Sequence, residues 1–492
     1  WDRGARAAER RGAERAARAP RRRGGAAPAP GVSSAKVLRG LSPSPEHLRS
    51  ASRWRRRWAA AALAAAALTP GSAQAAVANE TFERILTGFA IVGVAYLVSH
   101  LLFERIARRF AVVSGVEYVL LGALAGPAFG LISGEVRTSL HPFMVLGTSA
   151  IGMSAGIELV FRRGSLRDLV AAGMISAVTA VAVAGPPLLG LLWLGTAEDL
   201  FVWALPLVAA VAVALCADVG PVRAFAAFFD ADTPEIQRAE RVAAFASAIG
   251  IVTFGALFCL SDGLGPGPNY DAPTALRLAA FQTLAGALIG VVFTVFLRQR
   301  LSAERLLTVV IGMVIFTAGL AYFVHVSALA TNFLVGVVVA NVSGQAEEVR
   351  RMLRGIRRPL YIVLFFFVGL DLIVDVPWWS HLLALPYVYL RLWGRRIGGA
   401  LARRVGGAGA SNLGHALIAP GGLSVGLCLM TLLFFAEGGY DPTMRQAVAA
   451  LVAGVVLSEL LAYMLTRRWI IDAADVPPER AGRSGFFAGE GG

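Results

Sequence analysis

The stretch AAVAVALCADVGPVRAF, residues 209–225, decides how this chain is read. It is an apolar run that holds one carboxylate, Asp218, with Gly220 and Pro221 just beyond it. An acid at bilayer depth costs roughly 2.5 to 3.5 kcal/mol on insertion scales, so such acids are rare and default to functional roles. Pro221 lacks an N–H and clashes with the carbonyl four residues back, which predicts a helix broken beside Asp218 with the Ala217 C=O released. Freed carbonyls beside a carboxylate are what transporters use to hold small ions near the membrane midplane. The plainer alternative is a proline-kinked helix whose acid is paired off inside a bundle.

Composition supports a membrane setting. The 492 residues are 56% hydrophobic and the mean hydropathy is +0.64, the signature of a polytopic membrane protein. The formal charge of +14 invites a nucleic-acid partner, but residues 1–57 hold sixteen Lys and Arg against four Asp and Glu. The basic excess therefore belongs to the N-terminus and not to a folded binding face, so no nucleic acid is expected. Cys216, Cys259 and Cys428 lie in apolar runs without CxxC spacing and read as small buried hydrophobes. Neither a metal site nor a cofactor is expected.

Residues 1–50 are rich in Arg, Ala and Pro and read as a disordered extension; with no Met before Met144, part of it is expected to precede the true translation start. RSASRWRRRW (49–58), a short Ala/Leu run and Ala73-Gln74-Ala75 have the form of a signal peptide over 51–75, cleaved after Ala75. A transmembrane domain is expected over 79–468 and a short disordered cytoplasmic tail over 469–492.

Thirteen apolar segments follow: 85–103, 116–133, 141–161, 169–195, 200–225, 241–261, 275–297, 305–324, 327–342, 356–375, 379–401, 413–436 and 444–466. The boundary at His325-Val326 is the shortest. Arginines cluster in every second loop, as at Arg105–Arg109, Arg350–Arg358 and Arg395–Arg404, whereas the other loops hold only Arg137, Arg277 and Arg445. By the positive-inside rule the mature N-terminus is outside and the C-terminus cytoplasmic in a bacterial-type inner membrane.

The chain also repeats itself. YVLLGALAGPAFGLI (118–132) resembles NFLVGVVVANVSG (332–344), and AGIELVFR (155–162) resembles FVGLDLIVD (367–375). The break at ADVGPV has a counterpart at ALIAPGGLSVG (416–426), where Pro420 releases the Ala416 carbonyl and Gly421-Gly422 leave helical geometry. An offset of seven segments inverts the second copy. The expected fold is all-α, about thirteen transmembrane helices in two inverted six-helix repeats, with broken fifth and twelfth helices.

LLGALAGPAFGLI (120–132), GTSAIGMSAGIELVFR (147–162), CADVGPVRA (216–224), RRPLYIVLFFFVGLDL (357–372), YLRLWGRRIGG (389–399) and ALIAPGGLSVG (416–426) together resemble the monovalent cation:proton antiporter superfamily, over roughly 82–468. That resemblance implies crossing broken helices, a homodimer in the lipid bilayer, and exchange of Na⁺ or K⁺ for H⁺ by alternating access. Asp218 falls where the family has a polar or acidic residue in its fifth-segment break. Pro420, Gly421 and Gly422 fall in the twelfth. Arg391 falls where some branches carry an arginine paired to a glutamate at the start of the sixth segment, here Glu240. The alternative for Arg391 is an interfacial residue reaching the headgroups.

The sixth segment departs from the family. RVAAFASAIGIVTFGALF (241–258) places Ser247-Ala248 where the central aspartate pair belongs, and no acid lies between Glu240 and Asp262. Asp218 is then expected to be the titrating ligand, with the Ser247 hydroxyl and the Ala217 and Ala416 carbonyls completing an ion site. The alternatives are transport of another solute, or a non-transporting sensor or assembly partner. Glu158 and Asp371 end their segments and read as markers of the membrane surface. An intramembrane aspartyl protease built on Asp218 and Asp371 is the remote enzyme alternative, since Asp371 sits at a segment end and Asp218 in mid-segment.

Overall fold

The computed structural model describes residues 115–474, except 131, 133, 162–165, 196, 232, 264–271, 299–300, 371–375, 407–411 and 437–441, together with Glu83, Leu86, Ala90 and Gly93. The N-terminal extension 1–50, the signal peptide 51–75, most of the segment 85–103, Asp371 and the tail beyond 474 lie outside the described residues. The described residues are helical or irregular, with no strand among them.

Helix α1 (Val116–Ala123) widens at its end into a π turn, Leu124–Ala128, that contains Pro127. It is followed by α2 (Gly134–Glu158), α3 (Leu166–Leu194), α4 (Ala197–Leu215), α5 (Gly220–Phe229), α6 (Pro234–Gly263) and α7 (Ala272–Phe296). The second half comprises α8 (Ala303–Phe323), α9 (Ala328–Val342), α10 (Ala346–Leu370), α11 (Trp378–Leu382), α12 (Ala384–Gly406), α13 (Leu413–Ala416), α14 (Gly421–Ala436) and α15 (Pro442–Ala473). Among the described residues, seven spans are long and apolar enough to cross a membrane: Glu135–Glu158, Leu166–Trp193, Trp203–Phe229, Pro234–Leu260, Pro273–Phe296, Ala303–Phe323 and Thr443–Ala473. The third of these runs through the break between α4 and α5. Residues 117–126, 328–342, 359–370 and 421–433 form shorter apolar helices. The chain is a multi-pass membrane protein.

Local chemistry explains the helix boundaries. Ser327 caps α9 by accepting the Ala330 N–H at 3.2 Å, which separates α8 from α9 where the sequence left only two residues between segments. Helix α6 starts at Pro234, seven residues before the expected 241, so Glu240 lies inside it. Helix α15 runs past Arg468 because Trp469 and Ile470 are buried against the core.

Small residues set the helix packing, as expected where lipid is as apolar as the side chains. A Cβ at Gly122 of α1 would lie 2.0 Å from the Phe366 carbonyl of α10, and one at Gly369 would lie 2.0 Å from the Val119 carbonyl. Helices α2 and α9 repeat this contact: a Cβ at Gly156 would lie 2.1 Å from the Phe333 carbonyl, and one at Gly336 2.5 Å from that of Met153. Gly394 and Gly398 seat α12 on α3 in the same way. Large apolar side chains point outward on α3, α7 and α8, among them Trp193, Leu284 and Phe316. Four of these six close-packed glycines belong to the stretches that look duplicated in the sequence.

Candidate functional site

Both helix breaks expected from Gly and Pro are present, and they meet. Helix α4 ends at Leu215 and the chain runs non-helically through Cys216–Val219 before α5 opens at Gly220 with Pro221 in its first turn, where proline is tolerated. Helix α13 ends at Ala416, and Leu417–Pro420 lead into α14 at Gly421. The Asp218 N–H donates to the Ala419 carbonyl at 2.8 Å, joining the two unwound segments. Gly421 has φ +68°, and a Cβ there would stand 2.2 Å from Asp218 Cβ. Only glycine fits that position without strain.

A helix end leaves carbonyls without partners, and burial makes that costly. Two arginines of α12 supply the donors. Arg391 donates from Nε to the Ala214 carbonyl at 3.2 Å, from Nη2 to Cys216 at 3.1 Å, and from Nη1 to Ile418 of the other break at 2.6 Å. Arg395 donates from Nη2 to Ala214, Leu215 and Cys216 at 2.8, 2.9 and 2.9 Å. Both are 1% exposed. Their charge also complements the negative end of α4.

The amino ends of the other two half-helices carry acids. Asp218 Oδ1 accepts the Gly220 N–H at 3.0 Å, and Glu459 Oε1, on α15, accepts the Gly421 N–H at 3.0 Å. Asp218 Oδ1 also accepts from Arg357 Nη2 at 3.1 Å. Arg357 in turn donates from Nε to the Tyr361 hydroxyl at 2.6 Å. Ser247 is where the sequence put it, at the crossing, with its hydroxyl accepting the Ala217 N–H at 3.1 Å and donating to the Ala217 carbonyl at 3.0 Å. It fixes the peptide next to Asp218.

A cavity of about 470 Å³ reaches the crossing and is lined there by Ala217, Asp218, Ser247 and Tyr361. Farther out, Glu158, Arg223, Glu240 and Arg354 line it. These residues are paired: Glu240 accepts from Arg223 at 2.7 and 3.1 Å, and Glu158 from Arg354 at 2.8 and 3.0 Å. The hydrogen bond that Arg354 donates to Glu158 holds its guanidinium above the ordinary arginine pKa. In the first turn of α3, Asp168 is almost fully buried and binds Arg238 at 3.1 Å and Arg241 at 2.8 Å.

Several expectations need correction. Arg391 does not pair with Glu240, nor does it reach for the headgroups; Glu240 sits on α6 within reach of Arg223, and Arg391 spends its fork on carbonyls. The Ala217 carbonyl is not left free, because Ser247 donates to it. At the second break, Ile418 and Ala419 present the bonded carbonyls, while Ala416 is the buried last residue of α13. Pro420 accepts from the Ser424 hydroxyl at 3.0 Å, and Gly422 makes room for the Tyr361 ring, 2.4 Å from where its Cβ would stand. Glu158 does end its span, and it also lines the cavity, paired with Arg354.

Two residues at the crossing went unread in the sequence. Glu459 is the single charge between Arg445 and Arg467, so the rule that singled out Asp218 would have found it. Arg357 had no such signal, since it belongs to a run of loop arginines. Among the described residues no group of three or more His, Cys, Asp or Glu is placed to hold a metal.

No family model matches the sequence, and no curated protein matches it. A solved structure does: the sodium proton antiporter MjNhaP1 from Methanocaldococcus jannaschii, determined at pH 8, with a TM-score of 0.61. The chain shares that antiporter's fold. The match covers 79% of this chain and 99% of the other at 14% identity, so it speaks for the architecture alone.

Proposed function

We propose that the protein is a secondary active transporter that exchanges a monovalent cation, Na⁺ or K⁺, for H⁺ by alternating access, with Asp218 as the ligand for both. One observation carries this reading: a cavity leads to a carboxylate held where two broken helices cross. That arrangement offers a charged ligand at the depth where a transported ion is exchanged. In it, Arg357 neutralises Asp218 between cycles, and an arriving proton or cation shares the carboxylate with it.

The packing pairs support the inverted-repeat reading. Under the sevenfold offset α1 exchanges with α9 and α2 with α10, which turns the α1–α10 glycine contact into that of α9–α2. Arginine placement supports an inner-membrane orientation with the cavity mouth on the cytoplasmic side. The homodimer belongs to the same reading and is checked by the mass of the detergent-purified protein.

The test is a proteoliposome assay with an internal pH dye, adding Na⁺, K⁺ or Li⁺ to wild type and Asp218→Asn. A cation-driven pH change in wild type, lost in the folded mutant, is expected. No response to any cation would sink cation exchange. The second reading then gains: an arginine on the crossing's cavity-lining acid suits an anionic solute that would bind Arg357.

A further inference from the structure

Glu459 meets the crossing from outside both breaks. It lies on α15, 8% exposed, with its Oε1 on the Gly421 N–H. Gly421 is also where the second break touches the first, since a Cβ there would stand 2.7 Å from Asp218 Oδ2. A single glycine therefore lies between two carboxylates.

Their surroundings differ. Asp218 has Arg357 as counter-ion. Glu459 makes no ion pair among the described residues, and the groups that face it are Asp218, Arg391 on α12 and Tyr361 on α10. The Arg391 fork is taken up by three carbonyls. An ionised carboxylate buried without a counter-ion is expensive, and one amide at a helix amino end offsets part of that cost. A bound proton removes it.

We infer that Glu459 is a second proton-binding group of the transport site, coupled to Asp218 across Gly421, and carries the exchanged proton while Asp218 receives the cation. This rests on the transport reading given above and divides its ligand in two, with the cation on Asp218 and the exchanged proton on Glu459. The coupling is electrostatic. A cation arriving at Asp218 adds positive charge beside Glu459 and favours its carboxylate, so a proton leaves as the cation enters. One positive charge replaces another, and the net charge of the site is unchanged. In the reverse step a proton on Glu459 removes a negative charge from the crossing and weakens the hold on the cation.

A static partner for the amino end of α14 would need only an acceptor, which glutamine also supplies. Glu459→Gln therefore separates the two roles. Full-length wild type, Glu459→Gln and Glu459→Asp are reconstituted, and cation-driven pH change is compared with exchange of radiolabelled cation for unlabelled cation. The Gln variant is expected to keep cation-for-cation exchange while losing at least about tenfold in proton movement, a loss of about 1.4 kcal/mol in coupling. The Asp variant is expected to move protons with a displaced pH profile. Unchanged protons per cation and an unchanged profile in the Gln variant overturn the inference, as does loss of both exchange modes in folded protein. Should the Gln variant not fold, an Asp variant with the wild-type profile overturns it.

Infrared difference spectra make the test independent of transport. A carboxylic-acid band that titrates between about pH 5 and pH 9 in wild type and vanishes in Glu459→Gln is expected. If wild type moves no cation, that band still upholds the proton site while the exchange reading falls. Its absence removes the inference.

Discussion

The backbone N–H of Asp218 donates to the Ala419 carbonyl at 2.8 Å, so main chain joins the two breaks before any side chain is counted. The side chains then divide by sign. Arginines hold the carbonyl ends and carboxylates hold the amide ends, which is the complement each half-helix terminus calls for.

Gly421→Ala is the sharpest steric test. The substitution asks a residue with a side chain to adopt φ +68° and to overlap Asp218 Cβ. Left-handed backbone alone costs about 1 to 3 kcal/mol. A lowered melting temperature in detergent, with loss of any cation-driven flux, is the expected outcome.

Arg391→Met strands the Ile418 carbonyl and leaves those of Ala214 and Cys216 to Arg395 alone. A buried acceptor left without a partner costs about 1 to 3 kcal/mol, so the variant is expected to fold poorly. Arg391→Lys should recover only part of the loss, because an ammonium lacks the planar fork that spans both breaks. Thermal denaturation of the three proteins side by side orders them.

Arg357→Gln frees Asp218 from its guanidinium. A part-exposed ion pair is worth up to about 1 kcal/mol, which corresponds to about fivefold in affinity. The apparent KM for the transported cation is therefore expected to fall about fivefold, read from initial rates across cation concentrations. A rise in KM would mark Arg357 as a ligand holder for an anion.

The glycine contacts carry a matched pair of predictions and a control. Gly122→Ala and Gly156→Ala would each place a Cβ about 2 Å from a facing carbonyl, and similar destabilisation is expected from both. Gly312→Ala, in open space on α8, should be neutral or stabilising by about 0.5 to 1 kcal/mol, as for any mid-helix glycine. Melting temperatures of the three variants check this.

The architecture was legible because its determinants are local. Apolar runs, arginine-rich loops, and proline and glycine inside a hydrophobic segment each act through a few neighbouring residues. The breaks at Asp218 and Pro420 could be read for that reason, and so could the place of Ser247. Pairings were less legible. Arg391 and Glu240 fit a familiar pattern, yet helix rotation turns Arg391 onto carbonyls 177 and 175 residues away and leaves Glu240 beside Arg223. The role of Ser247 was also out of reach, since it depends on how close α6 passes to one peptide. Glu459 stood in plain view as the single charge of an apolar segment.

Arg391 bears on how the protein is made. Its guanidinium grips Ala214 and Cys216 of the first break together with Ile418 of the second. Asp218 likewise waits for Ala419. During synthesis the first broken helix therefore enters the bilayer with carbonyls that nothing yet satisfies, and it stays so until the chain has grown by nearly two hundred residues. Completion of the crossing belongs to the last stage of biogenesis, and a chain arrested before α13 would be inserted but lack its centre.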